Sequence, residues 1–226
     1  MNINIVELND IRNFVTIDGI YHGGNQAWFE THESKYRHGR PGGCGVVVMA
    51  DMITYMAFKN PRLYGSLVPF NPKSIKKQEY VQFMRSIYKL RRPLTNPISF
   101  VSREMTGTLG IPFPGMMKRG FQRYSAKFGG VDLNTEILSK ASFNKSLSFI
   151  QKALSKNVPV GMVIWRNDKL KKFEYHWMTI VGIYKVDTTG KTMVKVATWG
   201  TIHELCLEDL YHSPNKFKMF GLITFK

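Results

Sequence analysis

Acidic side chains are scarce in this 226-residue chain: 16 aspartates and glutamates face 32 lysines and arginines, a formal charge of +16. Cysteine is scarcer, with Cys44 and Cys206 alone. Two cysteines make no disulfide framework, and no Cys/His spacing here matches a zinc site. Both are read as reduced thiols, with Cys206 in the core because His203–Leu207 alternates as a strand. Long apolar runs are missing too. The longest, Gly45–Ala50 and Val158–Trp165, fall far short of the roughly 20 residues a membrane span needs. The N-terminus has neither the basic start nor the apolar centre of a signal peptide, so the expectation is a cytoplasmic chain or one trimmed of its leader. Repeats and low-complexity stretches are absent, and no nucleic-acid recognition motif accompanies the basic residues. Their spread (Lys73, Lys76, Lys77; Lys89, Arg91, Arg92; Lys118, Arg119, Arg123, Lys127; Lys169, Lys171, Lys172) reads as solvated faces, an anionic partner for one cluster being the minority reading. No cofactor and no metal are expected.

Hydrophobic residues make up 43% of the chain and aromatics 13%, enough for a folded core. The length suits one domain spanning 1–226. Its most informative stretch is Arg40-Pro41-Gly42-Gly43-Cys44-Gly45, followed at once by the apolar run Val46–Ala57 with helical spacing. A cysteine opening a helix meets free backbone N–H groups and the positive end of the helix dipole, which favour thiolate. Most single cysteines are small buried hydrophobes, so the position by itself is only a candidate nucleophile.

Periodicity predicts further helices at Gln78–Leu90, Gly115–Phe128 and Asn144–Lys156. A polar loop spans Glu30–Gly43, a proline-broken connection 61–76, and a loop with four prolines 93–114, a candidate lid. From residue 158 the pattern changes to β-type runs at Pro159–Trp165, Phe173–Tyr184, Thr192–Trp199, Ile202–Leu207 and Met219–Phe225. Helices followed by an antiparallel sheet predict an α+β domain with segregated halves: a helical half at about 25–157 and a sheet half at about 158–226 joined by N-terminal strands within 1–24.

Nucleophilic chemistry at Cys44 needs a base, an orienter for that base and donors for an oxyanion. His176, at the start of a strand with apolar residues after it, is the candidate base. His22, His32, His38, His203 and His212 sit in loops or at strand edges and read as ordinary surface histidines.

Gly43-Cys44-Gly45 opening a central helix, a helix leading into Asn157–Gly161, then His176-Trp177-Met178-Thr179-Ile180-Val181-Gly182 and Thr198-Trp199-Gly200, resembles the papain-like cysteine peptidases. Within them it is most similar to the bacterial double-glycine leader peptidases of bacteriocin exporters. The resemblance runs from about Gln26 to Gly200. It implies a papain-like fold, Cys44 as nucleophile, His176 as ion-pair partner and proton shuttle, and a glutamine amide that joins the cysteine N–H at the oxyanion. Gln26 is the match for that glutamine, at a longer separation from the cysteine than usual, with His38 as second choice.

The chain departs from the family at the third position. An Asn or Asp is expected just before the Trp-Gly pair, and Ala197-Thr198 stands there, leaving Thr198 to orient His176 through its hydroxyl. Tyr21, Trp28, Phe29, Trp177 and Trp199 are candidates for the cleft wall. The implied activity is hydrolysis of a peptide or amide bond through an acyl-enzyme. The alternatives are a catalytically weakened papain-fold binding protein and a transglutaminase-like acyltransferase. No specific nucleic-acid binding and no membrane span are expected, and the peptide substrate has room to be anionic.

Overall fold

A computed structural model of the chain describes residues 5–11, 14–29, 36, 38–95, 108–212 and 220–226. Three two-residue strands come first, β1 (Val6–Glu7), β2 (Thr16–Ile17) and β3 (Tyr21–His22), the last two pairing as a hairpin. A 3-10 turn at Gln26–Trp28 and a single-turn helix, α1 (Gly39–Gly42), lead to the central helix α2 (Cys44–Lys59). Only Met56, Phe58 and Lys59 of α2 escape burial, as a nearly all-apolar helix requires. Its start depends on a close approach: a Cβ on Gly43 would lie 2.2 Å from the Gly39 carbonyl oxygen, so the turn from α1 into α2 excludes any side chain.

After α2, the Asn60 side chain accepts from Leu63 N–H and caps the short α3 (Pro61–Tyr64), with proline in the first turn. The connection expected to be irregular is therefore partly helical. Helix α4 (Lys77–Leu90) buries Tyr80, Phe83, Met84, Ile87 and Tyr88 at three- and four-residue steps. The ribbon β4 (Leu94–Thr95) with β5 (Thr108–Gly110) occupies the ends of the expected lid loop, whose centre lies outside the described residues. Helix α5 (Pro114–Phe128), strand β6 (Thr135–Ser139) and helix α6 (Phe143–Ser155) complete the helical stretch. Strand β6 was not expected; it reaches the sheet from within the helical half.

The sheet half holds β7 (Val160–Ile164), β8 (His176–Lys185), β9 (Thr192–Thr198), β10 (Thr201–Cys206), the short helix α7 (Leu207–Tyr211) and β11 (Phe220–Phe225). The order is β10-β9-β8-β7-β11-β6, and every pairing is antiparallel. β8 outruns β7, and β1 takes the vacant edge with Val6 opposite Ile183 and Glu7 opposite Gly182. Because Gly182 has no side chain, Glu7 and Lys195 meet across the strand as a half-buried ion pair. The α+β arrangement, a helical layer against an antiparallel sheet, is as the residue pattern predicts. Buried apolar residues of both halves form one continuous cluster.

Two local expectations are corrected. The strand predicted from Phe173 begins at His176, because Lys171–Phe173 is a 3-10 turn and Tyr175 has φ 54. Cys206 is half-buried and not in the core: on the edge strand β10 its neighbour Leu205 faces inward, and the Cys206 thiol donates to Glu208 Oε2 at 3.3 Å.

Candidate active site

Three element ends meet at one place. Cys44 is the first residue of α2, His176 the first of β8 and Thr198 the last of β9, and each is buried. Strands β8 and β9 are antiparallel neighbours, so the start of one lies beside the end of the other. His176 Nε2 lies 2.6 Å from Thr198 Oγ1. Backbone conformations on either side are unusual: Tyr175 before His176 and Trp199 after Thr198 both have positive φ, 54 and 52, and Gly200 follows at 79. Such positions cost non-glycine residues about 1–3 kcal/mol each and persist where the surroundings impose them. Tyr175 marks the entry of the chain into β8, and Trp199-Gly200 is the two-residue turn that joins β9 to β10 within the sheet, with Thr198 paired to Thr201.

Trp199 covers the histidine. Its ring stacks on the imidazole with centroids 4.6 Å apart and on Phe173 at 5.4 Å, while Lys172 Nζ sits 5.4 Å from its centroid. Gln26, Cys44, His176, Thr198 and Trp199 line one small pocket together with Val47 and Val48 of α2. The Gln26 amide donates one hydrogen to the Arg40 carbonyl at 3.0 Å, and its Oε1 is buried without a partner among the described residues. The amide carries a second hydrogen that it can donate. His38 N-caps α1 and does not line the pocket.

The other expected cleft residues are placed differently. Trp177 is 2% exposed and donates its indole N–H to the Ile111 carbonyl, so it walls the pocket from inside the core. Phe29 is a core residue against Tyr36 and Tyr88. Trp28 packs edge-on against Tyr21 at 5.1 Å beneath Lys77, away from the pocket, although Tyr21 itself touches the Gly200 turn. Aromatic composition marks residues that want burial, and it does not say which of them face a cleft.

Electrostatics at the site oppose the helix start's preference for thiolate. Burial pushes the Cys44 thiol up from its ordinary value, against the pull of the backbone N–H groups of Trp177, Gly45 and Cys44 itself. The helix start does help the anion, and desolvation outweighs it. Burial also pushes His176 down to about 4, with positive charge on His203 adding to the effect. Both shifts favour the uncharged forms, a thiol and an imidazole that line the same pocket. Among the described residues no three His, Cys, Asp or Glu gather as a metal site, and no helix is long and apolar enough to cross a membrane.

One residue of the site's surroundings went unread in the sequence. Asp51, two turns after Cys44 on α2, is wholly buried and accepts from Gly24 N–H at 2.8 Å and from the Tyr80 hydroxyl. The signal was present: it is the one acidic residue in a helix otherwise chosen for burial.

No family model matches the chain, and no curated protein does. Among solved structures the chain is similar to a crystal structure of UfSP from C. elegans, with a TM-score of 0.41 and 12% identity. The similarity covers 98% of this chain and 34% of that one, so the chain spans about a third of that protein's length.

Proposed function

We propose that this chain is a thiol-dependent hydrolase of papain-like plan that cleaves a peptide or amide bond through an acyl-enzyme on Cys44. The observation that carries the reading is the contact of 2.6 Å between His176 Nε2 and Thr198 Oγ1 under the Trp199 ring, in the same pocket as the thiol that opens α2. With Nε2 engaged by Thr198, Nδ1 is the ring nitrogen left for the thiol. When Thr198 accepts from Nε2–H, Nδ1 carries the lone pair a general base needs. The order of Cys44, His176 and the Trp199-Gly200 turn supports the resemblance to the papain-like cysteine peptidases.

In this reading the proton leaves sulfur as the sulfur attacks. His176 takes the Sγ proton while Cys44 bonds to the scissile carbonyl carbon, and the resulting oxyanion is held by the Gln26 amide and the Cys44 N–H. His176 then gives that proton to the leaving nitrogen, and the C–N bond breaks. Water attacks the thioester, again losing a proton to His176, and the acid product departs as that proton returns to sulfur. Thr198 keeps the imidazole oriented throughout, and Trp199 keeps bulk water off the His–Thr contact.

A second reading, a papain-fold binding protein, draws on the shifts toward uncharged thiol and imidazole and on the missing carboxamide or carboxylate at the third position. Turnover decides between them. Incubating the purified chain with casein and a mixed peptide pool, followed by mass spectrometry, should show cleavage that Cys44→Ala reduces by at least about 10³-fold, and a thioester adduct on Cys44 after acid quench. Cleavage unchanged by Cys44→Ala ends the hydrolase reading. Peptide binding without cleavage in both proteins favours the second.

A further inference from the structure

Asp51 lies 0% exposed in the middle of α2. Its Oδ1 receives Gly24 N–H at 2.8 Å and the Tyr80 hydroxyl, while its Oδ2 has no partner among the described residues. A buried carboxyl is costly, and an apolar side chain at the same helix position would avoid that cost only by taking the acceptor away from Gly24 N–H and the Tyr80 hydroxyl. What Asp51 holds is the segment that leads into the pocket. The Gly24 carbonyl accepts from Gly200 N–H at 3.1 Å, the Asn25 side-chain amide donates to the Trp199 carbonyl at 3.0 Å, and His22 N–H donates to the Gly200 carbonyl at 2.8 Å. Gln26 follows in the same turn. The fit is tight: a Cβ on Gly23 would lie 2.7 Å from Asp51 Oδ2, and one on Gly24 3.0 Å from Val47 Cγ1.

We propose that Asp51 is a positioning residue of this site: through Gly24 it fixes Gln26 on one side and the Thr198–Gly200 turn on the other relative to the helix that carries Cys44. Trp199 and Gly200 form the two-residue β9–β10 turn, whose positive φ suits glycine and strains tryptophan, and the Gly24–Asn25 segment, together with His22, ties that turn down with the three hydrogen bonds just described. Asp51 anchors that segment to α2. A helix that must present Cys44 in register with two loops from distant parts of the chain is thereby locked to both by one acceptor atom. The proposal rests on the hydrolase reading for its catalytic consequence, and on geometry alone for the clamp.

The test uses Asp51→Ala and Asp51→Asn in the full chain. Asparagine keeps an oxygen at the acceptor position, so it should preserve the clamp; alanine removes it. Expected for Asp51→Ala are amide exchange at Gly24 and Gly200 faster by about tenfold or more, with Ile180 in the sheet centre unchanged, and loss of the downfield His176 Nε2–H proton resonance. Asp51→Asn should retain both signatures. Turnover of the casein-derived peptide pool should fall about 10- to 100-fold in kcat with little change in KM for Asp51→Ala, and recover in Asp51→Asn. Tyr124→Phe, which deletes a buried hydrogen bond to the Leu67 carbonyl elsewhere, shows what a loss of stability alone does to turnover.

If Asp51→Ala does not fold, the double variant Asp51→Leu with Tyr80→Phe removes both polar partners together and takes the same measurements. Retained protection at Gly24 and Gly200 with an intact His176 resonance overturns the proposal. Unchanged kcat in Asp51→Ala, where Cys44→Ala is dead, overturns the catalytic consequence and leaves the hydrolase reading standing. Turnover that survives Cys44→Ala removes the hydrolase reading instead, and the exchange data still decide the clamp.

Discussion

Thr198 Oγ1 lies 2.6 Å from His176 Nε2, under an indole whose ring centroid is 4.6 Å from that of the imidazole. A hydroxyl at this place both donates and accepts, whereas a carboxylate or carboxamide oxygen only accepts. Thr198 therefore tolerates either tautomer of His176 and enforces neither. It also adds no negative charge to hold an imidazolium.

The first prediction concerns that hydroxyl. Thr198→Asp should raise the titration point of His176 by about 1–3 pH units, since an opposite charge at contact favours the charged ring. Thr198→Val, which removes the partner while keeping the shape, should lower kcat by about 100-fold with KM little changed, less than the loss seen when a carboxylate orienter is neutralised. Side-chain NMR titration of His176 and steady-state kinetics read the two effects.

Iodoacetamide labelling should report a thiol and not a preformed ion pair. Burial holds Cys44 above its ordinary value and His176 down at about 4, so the labelling rate at Cys44 should keep rising through and beyond the ordinary thiol range near pH 8.5. A rate plateau between pH 5 and 7 would instead reveal a thiolate–imidazolium pair.

Gln26→Ala removes one oxyanion donor. The expected cost is about 10²–10³-fold in kcat, with a small change in thermal stability because the amide's bond to the Arg40 carbonyl is an exposed one. His38→Ala, outside the pocket, should show no comparable loss. A reversal of the two would move the oxyanion site to His38. Ammonia release from a glutamine peptide with an amine acceptor present would mark acyl transfer in place of hydrolysis.

Trp199→Ala should uncover the imidazole. Desolvation is the main cause of the low His176 value, so removing the ring above it should move the titration up toward the ordinary value near 6.5. An unchanged value in an NMR titration would assign the desolvation to the sheet beneath.

Asp51 predicts a pH-dependent stability. Burial raises its carboxyl to about 7 in the folded chain, against 3.8 when free. The folded state thus holds a proton that the unfolded state has released between about pH 4 and 7. The contribution is intact below pH 4 and is lost as pH rises through 7, up to about 4 kcal/mol before the surroundings relax. Tyr80, whose phenol is pushed far up by the same burial, stays protonated and remains a donor across this range. Melting curves should show the difference between Asp51→Asn and the unchanged chain shifting in favour of asparagine over that interval. A difference independent of pH would mean that Asp51 titrates normally.

Helix and strand positions were readable because burial imposes a period on the residues that form them. α2, α4, α5 and α6, and β7 to β11, lie within a few residues of the predicted runs. Strand β6 was missed because Thr135–Ser139, with Glu136 in its centre, lacks a clean alternation. The start of β8 was misread because Tyr175 takes a left-handed conformation that no pattern in Phe173–Trp177 announces. Trp28 and Phe29 were grouped as cleft residues from their aromatic character and lie away from the pocket, whereas Trp177 and Trp199 of the same group line it.

Local chain chemistry thus settled the α+β class and the place of Cys44 at the head of a buried helix, because those depend on nearest neighbours and hydrophobic spacing, and it made His176 a candidate base at a strand start; Thr198 entered only through the resemblance to the papain-like peptidases. Tertiary structure alone decided that Thr198 meets His176, that Trp199 seals the contact, that Gln26 shares the pocket while His38 does not, and that Asp51 ties the helix to both loops. It also set desolvation of the Cys44 sulfur against the pull of the helix start. The helix start acts over one turn and can be read in sequence, whereas desolvation is a sum over every residue packed around the sulfur and exists only once the chain has folded.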